Sequence, residues 1–193
     1  MTGRLIVDGE TGPYTRAVFE LDEGTLVYND PRQFGRIEWS EGLPDRVARL
    51  GPDALTVTEA EFLDRLKSHR RAQIKPLLLN QAFLRGVGNI YADEALFRAG
   101  IHPMAVASRL RLARVRRLFD GMVTVLTEAI AAGGSSISDY IDAEGRKGFF
   151  QFSHRVYQRT GEPCVNCGTA IRKVLVAQRS SHFCPKCQKP QVQ

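Results

Sequence analysis

Apolar and polar positions change rhythm twice along the 193-residue chain. In AVFELDEGTLVYND (17–30), Val18 and Phe19 lead into Asp22-Glu23-Gly24 and then Leu26 and Tyr28. Alternation broken by a glycine turn predicts a β-hairpin. GRLIV (3–7) and GRIEW (35–39) are short strand candidates on either side, and residues 41–57, with their glycines and prolines, read as a connection.

The rhythm then lengthens. Thr58-x-x-Glu61 is a capping box ahead of Phe62, Leu63 and Leu66, so a helix starts there. Pro76 suits the first turn of a second helix carrying Leu77, Leu78, Leu79 and Phe83. GVGN interrupts it, and NIYADEALFRAG resumes with Ile90, Leu96 and Phe97 before stopping at Gly100 and Pro103. A longer helix is predicted from after Ser108 to Gly133-Gly134, because Leu112, Val115, Leu118, Phe119, Met122, Val125 and Leu126 recur with a period near 3.6. From 135 to 160 the periodicity decays into loop, and a cysteine-bearing module closes the sequence.

Charge divides the chain unevenly. Residues 1–58 hold 6 basic and 10 acidic side chains, whereas 59–193 hold 21 and 11. A positive field over the later two thirds suits a polyanionic partner, although a solvated basic face would look the same. Arg109, Arg111, Arg114, Arg116 and Arg117 form its densest run, and Arg109, Arg116 and Arg117 are expected to share one helix stripe with Asp120 as a salt partner. The sequence offers no apolar run of transmembrane length and no leader pattern, which gives no membrane partner and a cytoplasmic expectation.

In such a compartment, cysteines in two close pairs argue for metal rather than disulfides. Cys164-x2-Cys167 and Cys184-x2-Cys187 are separated by sixteen residues, enough for two short strands that bring the pairs together. Four soft sulfur ligands leave no open position for water, so the expected cofactor is one structural Zn2+.

Between the second and third helices, Gly86 and Gly88 have the freedom to turn the chain, and Asn89 stands at the start of the next helix. Asn89 there either caps the helix, which residue chemistry alone favours, or joins exposed amides in holding a phosphate. Arg70, Arg71, Lys75 and Arg85 make the neighbourhood attractive to anions.

DPRQFG (30–35), LLLNQAFLRGVGNIYADEALFRAGIHP (77–103), GGSSISDYIDAEGRKGFFQ (133–151), VYQRTGEPC (156–164) and AQRSSHFCPKCQ (177–188) together closely resemble the bacterial formamidopyrimidine-DNA glycosylases. These are helix-two-turn-helix enzymes of base-excision repair. Phe34 and the long 133–151 segment resemble this branch more than the endonuclease VIII branch. The resemblance implies an α+β fold in three parts: 1–57, the later part of a catalytic β-sandwich; 58–158, a helix-two-turn-helix domain with a lesion loop; and 159–193, a β-hairpin zinc ribbon. It further implies a bacterial, nucleoid-associated monomer whose partner is double-stranded DNA containing oxidised bases or abasic sites.

Carried over by motif, Asn89 and Arg179 would grip the phosphates flanking the lesion, with Arg71 among the DNA-binding residues. Arg179 is also the catalytic candidate, through a part in the second elimination step, and would sit in the turn of the zinc hairpin. Met1, Arg32 and Phe34 would fill the hole left by an extruded nucleotide, where an aromatic wedge and a hydrogen-bonding Arg replace lost stacking and pairing. Without the family, Phe34 reads as core and Arg32 as ordinary surface. Residues 133–151 would close over the extruded purine, with Ser135, Ser136, Ser138 and Tyr140 as donors and Gly133, Gly134, Gly145 and Gly148 as pivots.

The resemblance stops at the beginning. Family members start with Pro-Glu-Leu-Pro-Glu, whose proline amine attacks C1′ of the flipped nucleotide; Met1 offers no such amine. Tyr14 stands where many relatives have a DNA-contacting His. The expectation is a chain that binds damaged DNA without cutting it by the family mechanism. The alternatives are a non-catalytic DNA-binding protein, an endonuclease VIII-like fragment, or a zinc-ribbon module for protein or RNA.

Overall fold

The computed structural model describes residues 3–136 and 147–190. Met1, Ser138, Tyr140 and Gly145 therefore lie outside the described residues. The elements form two units: 1–44 with 129–153, and 45–128 with 154–193.

In the first unit, strands β1 (Arg4–Val7), β2 (Thr15–Glu20) and β3 (Thr25–Asn29) form an antiparallel sheet in the order β1-β3-β2. The predicted hairpin is β2–β3, pairing Val18 with Val27 across its Gly24 turn. GRIEW is not a strand: residues 35–39 have no regular pairing, and Ile37 and Trp39 are exposed. Alternation over so few residues gives a strand only where a neighbouring edge accepts its hydrogen bonds.

The second unit is helical. The 41–57 connection carries one short helical turn, α1 (Asp45–Ala48). Helix α2 (Glu59–Ser68) begins as its capping box predicts, with the Glu61 amide donating to the Thr58 hydroxyl at 3.2 Å. Helix α3 (Ile74–Leu79) places Pro76 in its first turn but ends at Asn80, so Phe83 packs from the following turns rather than from the helix. Helix α4 (Asn89–Ala99) stops at a left-handed Gly100. A 3-10 turn at Ala107–Arg109 precedes α5 (Leu112–Ala131).

Phe62, Leu78, Phe83, Leu96, Leu118 and Met122 are all but excluded from solvent and meet in one core. Phe62 stands edge-on to Phe83 at 5.9 Å and tilted against Phe119 at 5.6 Å. Aromatic pairs in such geometries add about 0.5–1.5 kcal/mol beyond area burial. The arginine run does not share one stripe, because Arg109 belongs to the 3-10 turn, and Arg116 pairs with Glu59 at 2.9 Å.

The carboxy-terminal module is a two-stranded hairpin, β4 (Arg172–Val176) and β5 (Arg179–Phe183). Phe97 of α4 packs with Val156, Ile171, Cys164 and Cys184 in a second small core. None of the described helices is long and apolar enough to cross a membrane.

Candidate nucleic-acid interface and metal centre

The ribbon hairpin turns through Ala177 and Gln178, with φ of 46° and 61°. Two successive left-handed residues match the right-handed twist of the flanking strands, and without Asn or Gly they cost on the order of 1 kcal/mol each. Arg179 is the first residue of β5, immediately beyond that turn, and is exposed.

At the other end of the hairpin the four cysteine sulfurs lie within 4.8 Å of one another. The Cys164–Cys187 separation is 3.9 Å and the Cys167–Cys184 separation 3.5 Å. A disulfide needs about 2.05 Å, whereas four sulfurs about 2.3 Å from a tetrahedral zinc stand roughly 3.8 Å apart. The Asn166 and Cys187 amides each approach a cysteine sulfur at 3.4 Å, as amides of tight turns do around thiolates. Burial and the neighbouring thiols push Cys184 and Cys187 up, while the Thr169 hydroxyl and amide draw Cys167 down. Four thiolates held this close require a cation to ionise together. The cluster is suited to one structural Zn2+.

Helix α4 aims one face at this module. Asn89, Asp93 and Phe97 recur every four residues, with Glu94 beside Asp93. The opposite face, Ala92, Ala95, Leu96 and Ala99, enters the helical core. Both acids are buried, which requires partners. Asp93 pairs through Oδ1 with the Lys75 ammonium at 2.6 Å, and its Oδ2 accepts from the His182 amide at 2.8 Å. Glu94 accepts from the amides of Arg155, Val156 and Tyr157 at 2.9–3.0 Å, pinning the chain that leads into the ribbon. Burial raises the Glu94 carboxyl, and the three amides draw it back. Gln188 closes the module from its far side, accepting from the Cys184 amide and donating to the Ile101 carbonyl, both at 2.8 Å.

Lys75, fully buried on α3, also donates at 2.8 Å to the Ser180 carbonyl and to the Ser181 hydroxyl. Burial pushes its ammonium down, Asp93 pulls it up, and the nearby Arg179 guanidinium pushes it down again. The same Ser180 carbonyl accepts from Nδ2 of Asn89 at 3.1 Å. The structure thus brings Asn89 and the residue next to Arg179 into direct contact, with Lys75 behind them.

The capping reading of Asn89 is corrected. Gly88 is the cap residue and makes no side-chain cap bond, while Asn89 is already helical with its side chain turned to Ser180. Its Oδ1 is buried without a hydrogen-bond partner among the described residues. Ahead of it, Gly86 has a φ of 95°, which favours glycine. Arg71 is exposed in the turn after α2, beside a depression of about 440 Å³ lined by Lys67 to Ala72.

In the first unit the DPRQFG loop is organised by Asp30. Its buried carboxylate accepts from the Tyr28 hydroxyl at 3.1 Å, the Arg32 amide at 3.3 Å and the Gly35 amide at 2.7 Å. A Cβ at position 35 would fall 1.5 Å from the Tyr28 oxygen, so any larger residue there would have to displace the Tyr28 ring. Held this way, Phe34 is 70% exposed with the Arg32 guanidinium 4.8 Å from its ring centre. Phe34 is not core.

The 133–151 segment is tied at its base. The Ser136 amide donates to Gln151 Oε1 at 3.0 Å, and the Gly148 amide to the Ser136 hydroxyl at 2.8 Å. Gln151, Asp30, Lys75, Asp93, Glu94 and Gln188 escaped the sequence reading as positioning residues. The one available signal was helical spacing, which puts Asp93 and Glu94 on the stripe of Asn89 and Phe97.

Fold and site together define a helix-two-turn-helix chain closed by a four-cysteine ribbon. The family model described as formamidopyrimidine-DNA glycosylase H2TH domain matches residues 50–141, and that of the zinc finger found in FPG and IleRS matches 161–190. The formamidopyrimidine-DNA glycosylase of Solibacter usitatus is 66% identical over 189 residues, covering 98% of this chain and 71% of the relative. That of Heliobacterium modesticaldum is 47% identical, covering 98% and 73%. The crystal structure of the MutM (Fpg) protein from Thermus thermophilus superposes with a TM-score of 0.89 at 42% identity, over 100% of this chain and 74% of that one. The Lactococcus lactis Fpg, solved in complex with abasic-site DNA, gives 0.84 at 35% identity, over 98% and 72%. The chain belongs to the formamidopyrimidine-DNA glycosylase family.

Proposed function

We propose that this chain supplies the lesion-DNA grip of a base-excision repair glycosylase and AP lyase acting on oxidised purines such as 8-oxoguanine and formamidopyrimidines, in a nucleoid-associated setting. The observation that carries the reading is the shared Ser180 carbonyl, which holds Asn89 of α4 beside the hairpin end bearing Arg179. Asn89 keeps a second amide proton for a phosphate. Arg179 offers a guanidinium fork on a metal-held platform, and its role is charge stabilisation of the phosphate. Arg71 adds a further phosphate contact. Arg32 and Phe34, exposed and stacked, suit a gap left by an extruded nucleotide; Met1 completes that set. The functional division follows 1–57, 58–158 and 159–193.

Binding to duplex DNA carrying an abasic-site analogue, followed across salt concentrations, tests the grip. Arg179→Ala should weaken binding about tenfold and flatten the log–log salt slope by about 1, while Asn89→Ala should weaken it without changing the slope. Loss of neither affinity nor slope in both variants overturns the assignment. Borohydride trapping on 8-oxoguanine duplex tests catalysis separately. A form carrying the family's Pro-Glu-Leu-Pro-Glu start should give a cross-link, and its failure to do so overturns the lyase reading.

A further inference from the structure

A groove of about 370 Å³ on the helical unit lies on elements other than those that bear Asn89 and Arg179. Its walls are the later half of α2 (Leu63, Leu66, Lys67) with Arg70 just beyond its end, the 3-10 turn with Leu110, and the first turn of α5 (Leu112, Val115). It exists because the apolar stripe of α5 outruns its cover. Val115, Leu118 and Met122 are buried, but one turn earlier on the same stripe Leu112 is 53% exposed.

The two charged residues that line the groove are both basic. Lys67 and Arg70 line the groove, and Arg111 lies between Leu110 and Leu112. The acid at this edge, Asp64, is engaged by Lys67 at 2.8 Å. Arg70 and Arg111 make no ion pair or side-chain hydrogen bond among the described residues. The size lies near the lower end of the roughly 300–1,000 Å³ typical of ligand pockets, room for one or two large side chains. An apolar floor has no use for a phosphate, and two arginines without an acid partner among the described residues have no use for a neutral helix.

We propose that this groove docks a short acidic peptide segment of a partner protein, with a bulky apolar side chain seated on Leu63, Leu110 and Leu112 and flanking carboxylates on Arg70 and Arg111. Apolar anchoring would set the affinity and charge the approach. The reading uses neither Asn89 nor Arg179.

The test is fluorescence anisotropy of the full chain with a fluorescein-labelled peptide, Asp-Asp-Glu-Leu-Phe-Glu-Asp. Saturable binding is expected, unaffected by saturating abasic-site duplex. The double variant Arg70→Glu/Arg111→Glu should weaken it at least about tenfold, and so should a peptide with Ser-Ser in place of Leu-Phe. Leu112→Ser, at an exposed site, should weaken it about fivefold with an unchanged circular dichroism spectrum. The proposal is overturned if wild-type chain shows no saturable binding, if the Ser-Ser peptide binds equally well, or if the charge-reversed chain does. Displacement by DNA would assign the groove to the nucleic-acid interface instead. A sedimentation dimer abolished by Leu112→Ser would assign it to a second copy.

Discussion

Val27 is the one residue of strands β1–β3 that the structure buries, whereas the helical unit buries Phe62, Leu78, Phe83, Leu96, Leu118 and Met122 in a single core. In the sheet unit Leu5, Val7, Val18, Ile37 and Trp39 are exposed, Trp39 at 83%. The sheet is held mainly by its ladder and by Asp30. The helical unit is held three ways: by apolar burial, by a buried polar network, and by a cysteine cluster suited to zinc. The contrast teaches that position within the fold, not apolar content, decides where stability resides.

The largest expected effect is on the metal. Chelation, or Cys184→Ser, should remove about 10 kcal/mol or more of metal-linked folding energy from the ribbon. Limited proteolysis should then cut first within 160–190 and spare α2–α5; cleavage that ignores zinc would erase the ribbon's place in the contrast.

Next is the buried ion pair. Lys75→Met leaves the Asp93 carboxylate without its cation and should cost about 3–5 kcal/mol in urea unfolding, most of it recovered in Lys75→Met/Asp93→Leu. Core truncation compares the two units directly. Leu78→Ala should cost about 2–5 kcal/mol, whereas Val18→Ala, 46% exposed, should cost under about 1. Equal costs would break the comparison.

A smaller effect is pH-dependent. Burial holds His154 down at about 4. The unfolded chain protonates near 6.5, so as pH falls from 6.5 towards 4 it takes up a proton that the fold refuses, and stability is lost across that window. The loss should be on the order of 2–3 kcal/mol, and His154→Phe should flatten it. Smallest is the exposed Arg116–Glu59 pair, for which a double-mutant cycle should give about 0.2–1 kcal/mol.

Much of this was legible in the sequence. The Thr58 capping box, the β2–β3 hairpin, the period of α5 and the paired CxxC spacings all rest on local rules, and local rules held. Where an outcome depended on a distant partner, the reading thinned. GRIEW lacked a strand to pair with, Asn89 turned from its own helix to Ser180, and Arg109 fell outside α5. Asp93 and Glu94 look like the solvent face of an amphipathic helix until the ribbon is laid against them. Phe34 was legible only through the family resemblance, since exposing a phenylalanine runs against the ordinary preference for burial.

The Ser180 carbonyl, the point where Lys75 and Asn89 converge, belongs to the backbone. The chain therefore stores the spacing of its hairpin tip in a peptide group that every amino acid possesses. Position 180 should tolerate broad sequence drift, whereas Lys75 and Asn89, which must read that group from outside, should not. A designer could change the chemistry of the tip there while leaving its register intact.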